Sequence, residues 1–475
     1  MTDELEYFES EDFKEILQEY EESVKSGQPF YMDADDLADI ADYFHYQGCL
    51  EEAEQAIELA LQLNPEAIGP ILYKAREALT KGDFDLARSY AERLRIVDST
   101  EHLYLQGEIL ICEGKTEEAD ELFRQHYMEV QPDELLDYVY DVANLYSEYS
   151  QYDKAFEWMA RSQGDDSDDF KELMARTLFG LGKYKDSERL FNELIDRDPF
   201  SKQYWNALAS AQFMSEEYDA SITSSEYAMA IDPDDAESIL SKANGLYRLE
   251  NYESALSFFE RYSEKAESDE FGYLHQGTCL INLGRYEEAI LRLERAEELA
   301  PKDSIYLPEI YQELAFAYSE LKQPDSALYY IDKTTDLNCD HTDMEVIRGH
   351  ILIANNRMAE AERVFKQAIL NAENTPKIML RIMVSLYDNH YVSASYHLFK
   401  KFFKYVDENW TEGYAYMALC CWDLHKDGEF MTYLAQAVEK NPKESKLVLG
   451  SIFPKDLPVE DYYDYMNKQL NKDQS

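Results

Sequence analysis

The chain has 475 residues and a formal net charge of −52, from 45 basic and 97 acidic side chains. This excess of negative charge repels phosphate backbones and anionic lipid surfaces, so the composition argues against nucleic-acid or membrane binding. The acidic surface either attracts basic partners or only keeps a long surface soluble. Hydrophobic residues make up 45% of the chain, whereas glycine and proline number only 17 and 13, which favours an all-helical protein with a sizeable core.

The first predicted element is an amphipathic helix over residues 9–26. Phe13, Ile16, Leu17 and Tyr20 fall on one side of it. Gly27 and Pro29 are expected to end this helix.

From residue 34 onward, a pattern of about 34 residues recurs along the chain. The stretch LGRYEEAILRLERAEELAP at 283–301 is typical of it, and QGCLEEAEQAIELALQLNP at 47–65 follows the same order of residue types. When the turn before the second helix is placed at position 15, twelve units follow one another. They start at residues 34, 68, 100, 136, 168, 202, 236, 270, 308, 342, 375 and 411.

Two positions of the pattern carry small side chains. Position 8 is Ala or Gly in eleven of the twelve units, with Ile382 as the exception, and position 20 is Ala or Ser in eleven, with Phe430 as the exception. Small residues let two helices cross closely, because larger side chains would hold the backbones apart. Glycine at position 15 of five units, as in Gly284, suits the left-handed residue that ends a helix. Each unit is therefore predicted to be a pair of antiparallel helices.

This joint pattern resembles the tetratricopeptide repeat family over residues 34–442. The resemblance implies an all-α fold, a right-handed superhelical α-solenoid of antiparallel helix pairs, whose units stack because none can bury its apolar face alone. It leaves residues 1–33 as an N-terminal capping helix and residues 443–475 as C-terminal capping helices and a tail.

No constellation of residues indicates an enzyme. The chain contains no H-E-x-x-H, P-loop, G-x-G-x-x-G or G-x-S-x-G motif. CDHTD at 339–343 lacks the second half of a metal site, and DDSDD at 165–169 lacks the glycine and the bidentate Glu of a calcium loop. Both stretches precede a predicted helix, so helix capping explains them. We therefore expect neither catalysis nor a metal or other cofactor.

In the family, positions 2, 5, 9, 12 and 13 of the first helix line the concave groove. Position 2 is acidic in eight units, which suits either a carboxylate ladder for a basic peptide or the positive end of a helix dipole. Positions 5, 9, 12 and 13 of units 4–7 supply Asn, Arg and aromatic side chains, which can bind a peptide main chain and its apolar anchors. These candidates are Tyr140, Asn144, Arg176, Phe179, Phe213, Asn244, Tyr247 and Arg248. The alternative is that they are solvated residues of the groove that bind no partner.

Some members of the family hold the C-terminus of a heat-shock protein with a carboxylate clamp, and the residues of that clamp are missing. No unit has Lys or Arg at position 5, and where Asn244 supplies position 9, position 5 is Leu240. The third unit of that set has Glu309 where the clamp needs Lys. Docking of heat-shock C-termini by this route is therefore not expected.

The function predicted from the sequence is a non-enzymatic scaffold or adaptor that binds a protein or an extended peptide in its groove. The alternative is a holding or secretion-type chaperone for basic clients. The six cysteines form no C-x-x-C pair, and the sequence shows neither a signal peptide nor a long apolar run, so we expect a cytoplasmic protein.

Overall fold

The computed structural model describes residues 7–8, 10–26, 32–97, 99–162 and 165–473. In these ranges the chain forms 27 α-helices and no strand, as the sequence predicts. It divides after Glu217 into two compact units. Gly27 and Pro29, the expected end of the first helix, lie outside the described residues.

The first unit holds helices α1 to α12. Their bounds are α1 (Glu11–Ser26), α2 (Ala34–Tyr46), α3 (Leu50–Leu63), α4 (Ile68–Thr80), α5 (Phe84–Val97), α6 (Ser99–Cys112), α7 (Thr116–Tyr127), α8 (Leu135–Glu148), α9 (Tyr152–Met159), α10 (Asp168–Gly180), α11 (Tyr184–Arg197) and α12 (Lys202–Met214). From α2 to α11 the helices form five pairs joined by tight turns. Helix α1 covers the first pair, where Phe13 and Tyr20 are buried against Leu37 and its neighbours.

The second unit holds helices α13 to α27. Their bounds are α13 (Tyr218–Ile231), α14 (Ala236–Arg248), α15 (Tyr252–Lys265), α16 (Glu270–Asn282), α17 (Tyr286–Leu299), α18 (Leu307–Glu320), α19 (Pro324–Lys333), α20 (His341–Ala354), α21 (Met358–Asn371), α22 (Thr375–Asp388), α23 (Val392–Phe402), α24 (Tyr414–Asp423), α25 (Asp427–Lys440), α26 (Pro442–Leu449) and α27 (Tyr462–Asp473). Helices α14 to α25 form six pairs. Helices α26 and α27 cover the last pair, with Leu449, Tyr462 and Met466 buried against it.

The small residues lie where the two helices of a pair cross. In the pair α10–α11, the Ser187 hydroxyl at position 20 donates to the Ala175 carbonyl at position 8, at 2.8 Å. Where position 8 is glycine, the large side chain at position 24 lies directly over it: a Cβ on Gly107 would lie 2.0 Å from the Phe123 ring. The side chain at position 24 therefore packs directly against the residue at position 8 of the same pair. Together these two residues determine the distance between the helices.

A left-handed residue separates the two helices of each predicted repeat. Gly284 (φ 72°) occupies this place in repeat 8, and an added Cβ there would meet nothing within 4 Å. Glycine is therefore used here for its backbone conformation rather than for space. Seven repeats place another residue at this turn, namely Ser150, Glu216, Glu250, Lys322, Asn356, His390 and His425.

The predicted start of repeat 11 at residue 375 is wrong by one residue. The left-handed residue there is His390, one place after the predicted position 15. Ala394, assigned to position 20, is exposed, whereas Ser395 is fully buried and donates to the Met383 carbonyl at 2.8 Å. This bond repeats the contact between Ser187 and Ala175, so the repeat starts at 376 and Met383, not Ile382, occupies the crossing.

Candidate functional site

The structure distributes the eight predicted groove residues over both compact units. Five lie in the first unit and three in the second. All eight are on the first helix of a pair, and three of them line one of two grooves. Arg176 and Phe179 line a groove of the first unit, and Tyr247 lines a groove of the second.

The N-terminal groove is a cavity of about 720 Å³ across the first helices of repeats 2 to 6. Most of its lining residues occupy positions 9, 12 and 13 of those helices, as the family resemblance implies. The lining residues are Arg76, Leu79, Thr80, Glu108, Cys112, Ser147, Glu148, Tyr149, Tyr152, Arg176, Phe179, Phe191, Ala207 and Ser210.

An ionic network forms one wall of the N-terminal groove. Glu108 is only 3% exposed, and its Oε1 accepts from the Arg76 Nε at 3.0 Å and from the Tyr149 hydroxyl at 2.8 Å. Burial, followed by the Glu108 charge, raises the pKa of the Tyr149 hydroxyl, so Tyr149 stays a proton donor. The Arg76 guanidinium is half-exposed, which leaves donors for a ligand.

A second arginine and an aromatic ring also line the N-terminal groove. The Arg176 guanidinium lies 3.6 Å from the Glu172 carboxylate, and Arg176 lines the groove. The half-buried Phe179 ring packs edge-on against Tyr184, with 5.4 Å between the ring centroids. The groove therefore offers guanidinium donors beside an apolar anchor.

The C-terminal groove is a cavity of about 590 Å³ across the first helices of repeats 7 to 12. Apolar side chains form most of it, and Phe316 is 40% exposed there. The lining residues are Tyr247, Thr278, Ile281, Asn282, Gln312, Glu313, Phe316, Ser319, Val346, Ile347, His350, Ile351, Leu380, Arg381, Val384, Ser385, Asp388 and Tyr416.

Burial shifts the titration of two groups in the C-terminal groove. Desolvation, with a contribution from the charge of Glu309, raises the pKa of the Glu313 carboxyl to about 7. Desolvation also lowers the pKa of His350, so this imidazole is neutral at pH 7. The Arg381 guanidinium is paired with the Asp343 carboxylate.

The other predicted residues make local contacts. The Asn144 amide donates to the Glu148 carboxylate at 3.0 Å. Arg248 donates to the Tyr218 hydroxyl at 3.1 Å, and its guanidinium lies 5.4 Å from the centre of that ring. This contact joins helix α14 to helix α13. The remaining three, Tyr140, Phe213 and Asn244, are half-buried.

Sequence reasoning missed the charged centres of both grooves. Arg76 and Glu108 each occupy position 9, and Glu313 occupies position 6. Reading position 9 in all twelve repeats, rather than in repeats 4 to 7, would have found the first two. Glu313 had no such signal, because position 6 was not among the groove positions.

The acidic residues at position 2, and the two motifs that resemble cation-binding sites, lie at or near the starts of helices. Seven of the eight acids at position 2 lie in the first turn of a helix, which suits the dipole explanation, whereas Glu412 precedes helix α24. In CDHTD, the Asp340 carboxylate accepts from the backbone of Thr342 at 2.9 Å. In DDSDD, the Ser167 hydroxyl accepts from the backbone of Phe170.

Across the described residues, no group of His, Cys, Asp or Glu has the arrangement of a metal site. In the same residues, no helix is long and apolar enough to cross a membrane.

Two family models match the centre of the chain. The model described as "Tetratricopeptide repeat" matches residues 173–236. The model described as "Anaphase-promoting complex, cyclosome, subunit 3" matches residues 214–296. No curated protein sequence matches the chain.

Several solved structures are similar to the chain. Yeast Tom70 shares 14% identity at a TM-score of 0.44, over 92% of this chain and 96% of that one. PilW, a type IV pilus biogenesis factor, shares 19% identity at a TM-score of 0.40, over 46% of this chain and all of that one. MamA from Desulfovibrio magneticus RS-1 shares 17% identity at a TM-score of 0.34, over 36% and 96%.

Three observations agree on the family. The helices come in pairs with small residues at the crossings, a left-handed residue separates the two helices of each pair, and the repeat model matches two consecutive units at the centre of the chain. The chain is therefore built of about twelve helix pairs with the architecture of the tetratricopeptide repeat, and the family model matches two of them.

Proposed function

We propose that the protein is a non-enzymatic scaffold that binds an extended segment of a partner protein in the N-terminal groove. The observation that carries the proposal is the set of guanidinium and aromatic groups that line this groove. Small residues at positions 8 and 20 let the two helices of a repeat cross, whereas Arg176 and Phe179 line the groove. A role in binding gives these side chains a purpose.

The chemistry of the groove fits an extended backbone. Arginine donors can bind the carbonyl groups of a strand-like segment, and the half-buried Phe179 ring can receive an apolar side chain. A cavity of about 720 Å³ lies within the range of natural ligand sites. The match to a model of a subunit of a large complex adds support for a binding role.

The test is partner capture from the native cell, read by mass spectrometry, with a double variant of the groove. Arg176→Ala with Phe179→Ala removes one donor and the anchor, and should abolish recovery of a stoichiometric partner. The matched control is Arg189→Ala with Phe200→Ala, since Arg189 is exposed on α11 and Phe200 is 80% exposed in a loop. Equal recovery by both double variants would contradict groove binding.

Partner capture, together with an aggregation assay, distinguishes the scaffold from the alternative chaperone. A scaffold should recover one or two partners, whereas a holding chaperone should suppress aggregation of several unrelated proteins. Preference for basic partners, absence of nucleic-acid binding and a cytoplasmic location stay predictions of the sequence.

A further inference from the structure

The C-terminal groove contains two carboxylates that pair with no other side chain among the residues that the structure describes. Within the described ranges, no hydrogen bond or ion pair holds the Glu313 carboxylate, although it is desolvated in a groove that apolar side chains line in part. Asp388, at the exposed end of the same groove, also has no ionic partner in the described chain. An ionised, unpaired carboxylate in such surroundings is unfavourable, and either a proton or the counter-charge of a ligand relieves this cost.

No cation of the groove is free to neutralise these groups. Arg381, the one arginine among the lining residues, is committed to Asp343. The neutral His350 ring lies 3.0 Å from the Ser385 hydroxyl and 3.3 Å from the Asn389 amide. The groove therefore keeps a net negative charge.

The walls suit a side chain with an apolar stem. Ile281, Phe316 and Val384 line the same groove as Glu313, and Phe316 is 40% exposed. Tyr247 and Tyr416 add aromatic rings, which attract cations over their faces. Lysine and arginine combine an aliphatic stem with a charged head, and they bury the stem while the head stays polar.

We propose that the C-terminal groove is a second binding site, which selects a lysine or arginine side chain of an extended peptide by pairing its cationic head with Glu313. The stem of that side chain lies along Phe316 and Val384, and Asp388 attracts a further basic residue at the exposed end. The inference rests on the proposed function only in that the chain binds peptide segments. Its specificity comes from charge complementarity in a cavity of about 590 Å³.

The test uses three fluorescent nine-residue peptide pools and the full-length protein at pH 8, where most of Glu313 is ionised. The central residue is arginine, norleucine or glutamate, its two neighbours are leucine, and the other positions are randomised. Anisotropy titration should give tighter binding for the arginine pool than for the norleucine pool by about tenfold, and weakest binding for the glutamate pool. Norleucine keeps the apolar stem and lacks the charge, so this ratio isolates the ion pair.

The variants assign the preference to one carboxylate. Glu313→Gln should bring the arginine and norleucine pools to equal affinity, whereas Glu287→Gln, which removes the same charge from an exposed site on α17, should keep the preference. Equal binding of all three pools by the wild type, or an unchanged preference in Glu313→Gln, would overturn the inference and leave the N-terminal groove proposal standing. Absence of binding by every pool would overturn this inference and weaken the proposed function, which the Arg176 and Phe179 variants test separately.

Discussion

Replacing Glu313 by glutamine should stabilise the protein, and the gain should grow with pH. The carboxyl group has a pKa of about 7 in the folded chain against an ordinary value of 4.5. Because the folded state binds this proton more tightly, the unfolded chain loses it first as the pH rises. The wild type therefore loses stability between about pH 4.5 and pH 7, and the loss is constant above that window. Glutamine is neutral at every pH, so the variant does not lose stability in this window.

The size of the effect follows from the two pKa values. They differ by about 2.5, and each pKa unit corresponds to about 1.4 kcal/mol, so ionisation costs the folded state at most about 3 kcal/mol. Applying the two pKa values to proton binding gives a stability advantage of the variant of about 1 kcal/mol at pH 5.5 and about 3 kcal/mol at pH 8.5. Both values of pH keep the protein away from its isoelectric point of about 4.4.

Urea unfolding at the two pH values, followed by circular dichroism, measures this advantage. If the two compact units unfold separately, hydrogen exchange of the amides of α18 gives the free energy of unfolding of the region around Glu313. Glu287→Gln serves as the control, since its exposed side chain should give the same small change at both pH values. A gain that does not change with pH, or a loss of stability in Glu313→Gln, would refute the assignment of Glu313 as an unpaired, desolvated carboxylate.

Four further substitutions test the packing of the repeats and the hydrogen-bond network at Glu108, each by urea unfolding against the wild type. Gly284→Ala should cost about 1 kcal/mol from backbone strain alone, while Gly349→Ala should cost more, since its Cβ would lie 2.1 Å from the Phe365 ring; equal costs would contradict this distinction. Ala289→Leu should overpack a fully buried crossing and cost about 1–3 kcal/mol, and a silent change would count against the register of repeat 8. Glu108→Gln should cost about 1–3 kcal/mol, because a neutral amide replaces the buried acceptor of two donors, and no loss would argue that this network contributes little.

The fold was predictable because its physical requirements repeat in the sequence. Every helix pair needs a close crossing and a turn. The register of an ambiguous repeat can therefore be inferred from the repeats on either side of it. A small residue at position 8, such as Ala175, and a turn residue, such as Gly284, therefore determine helix starts over most of the chain. Position 15 was harder to read where Glu250 or Lys322 adopts the left-handed conformation, since these residues do so only within an established fold.

The grooves were less predictable, because they depend on which side chains pair with which. The sequence does not indicate that the Arg248 guanidinium contacts Tyr218, whereas the half-exposed Arg76 guanidinium has N–H donors left for a ligand in the groove. Nor could it show that Glu313, one of 97 acidic residues, is unpaired. Such pairings join residues about 30 positions apart, and they depend on how successive repeats stack.

Repeat 11 offers a direct test of how far the periodic pattern can be trusted. The pattern places Ala394 at the helix crossing, whereas the structure leaves Ala394 exposed and buries Ser395, whose hydroxyl donates to the Met383 carbonyl at 2.8 Å. Ala394→Leu should therefore change the stability by no more than about 0.5 kcal/mol. Ser395→Leu should cost about 1–3 kcal/mol from overpacking, with a further loss from the broken hydrogen bond. Urea unfolding of the two leucine variants distinguishes the registers, because the start at residue 375 requires the opposite order of stabilities.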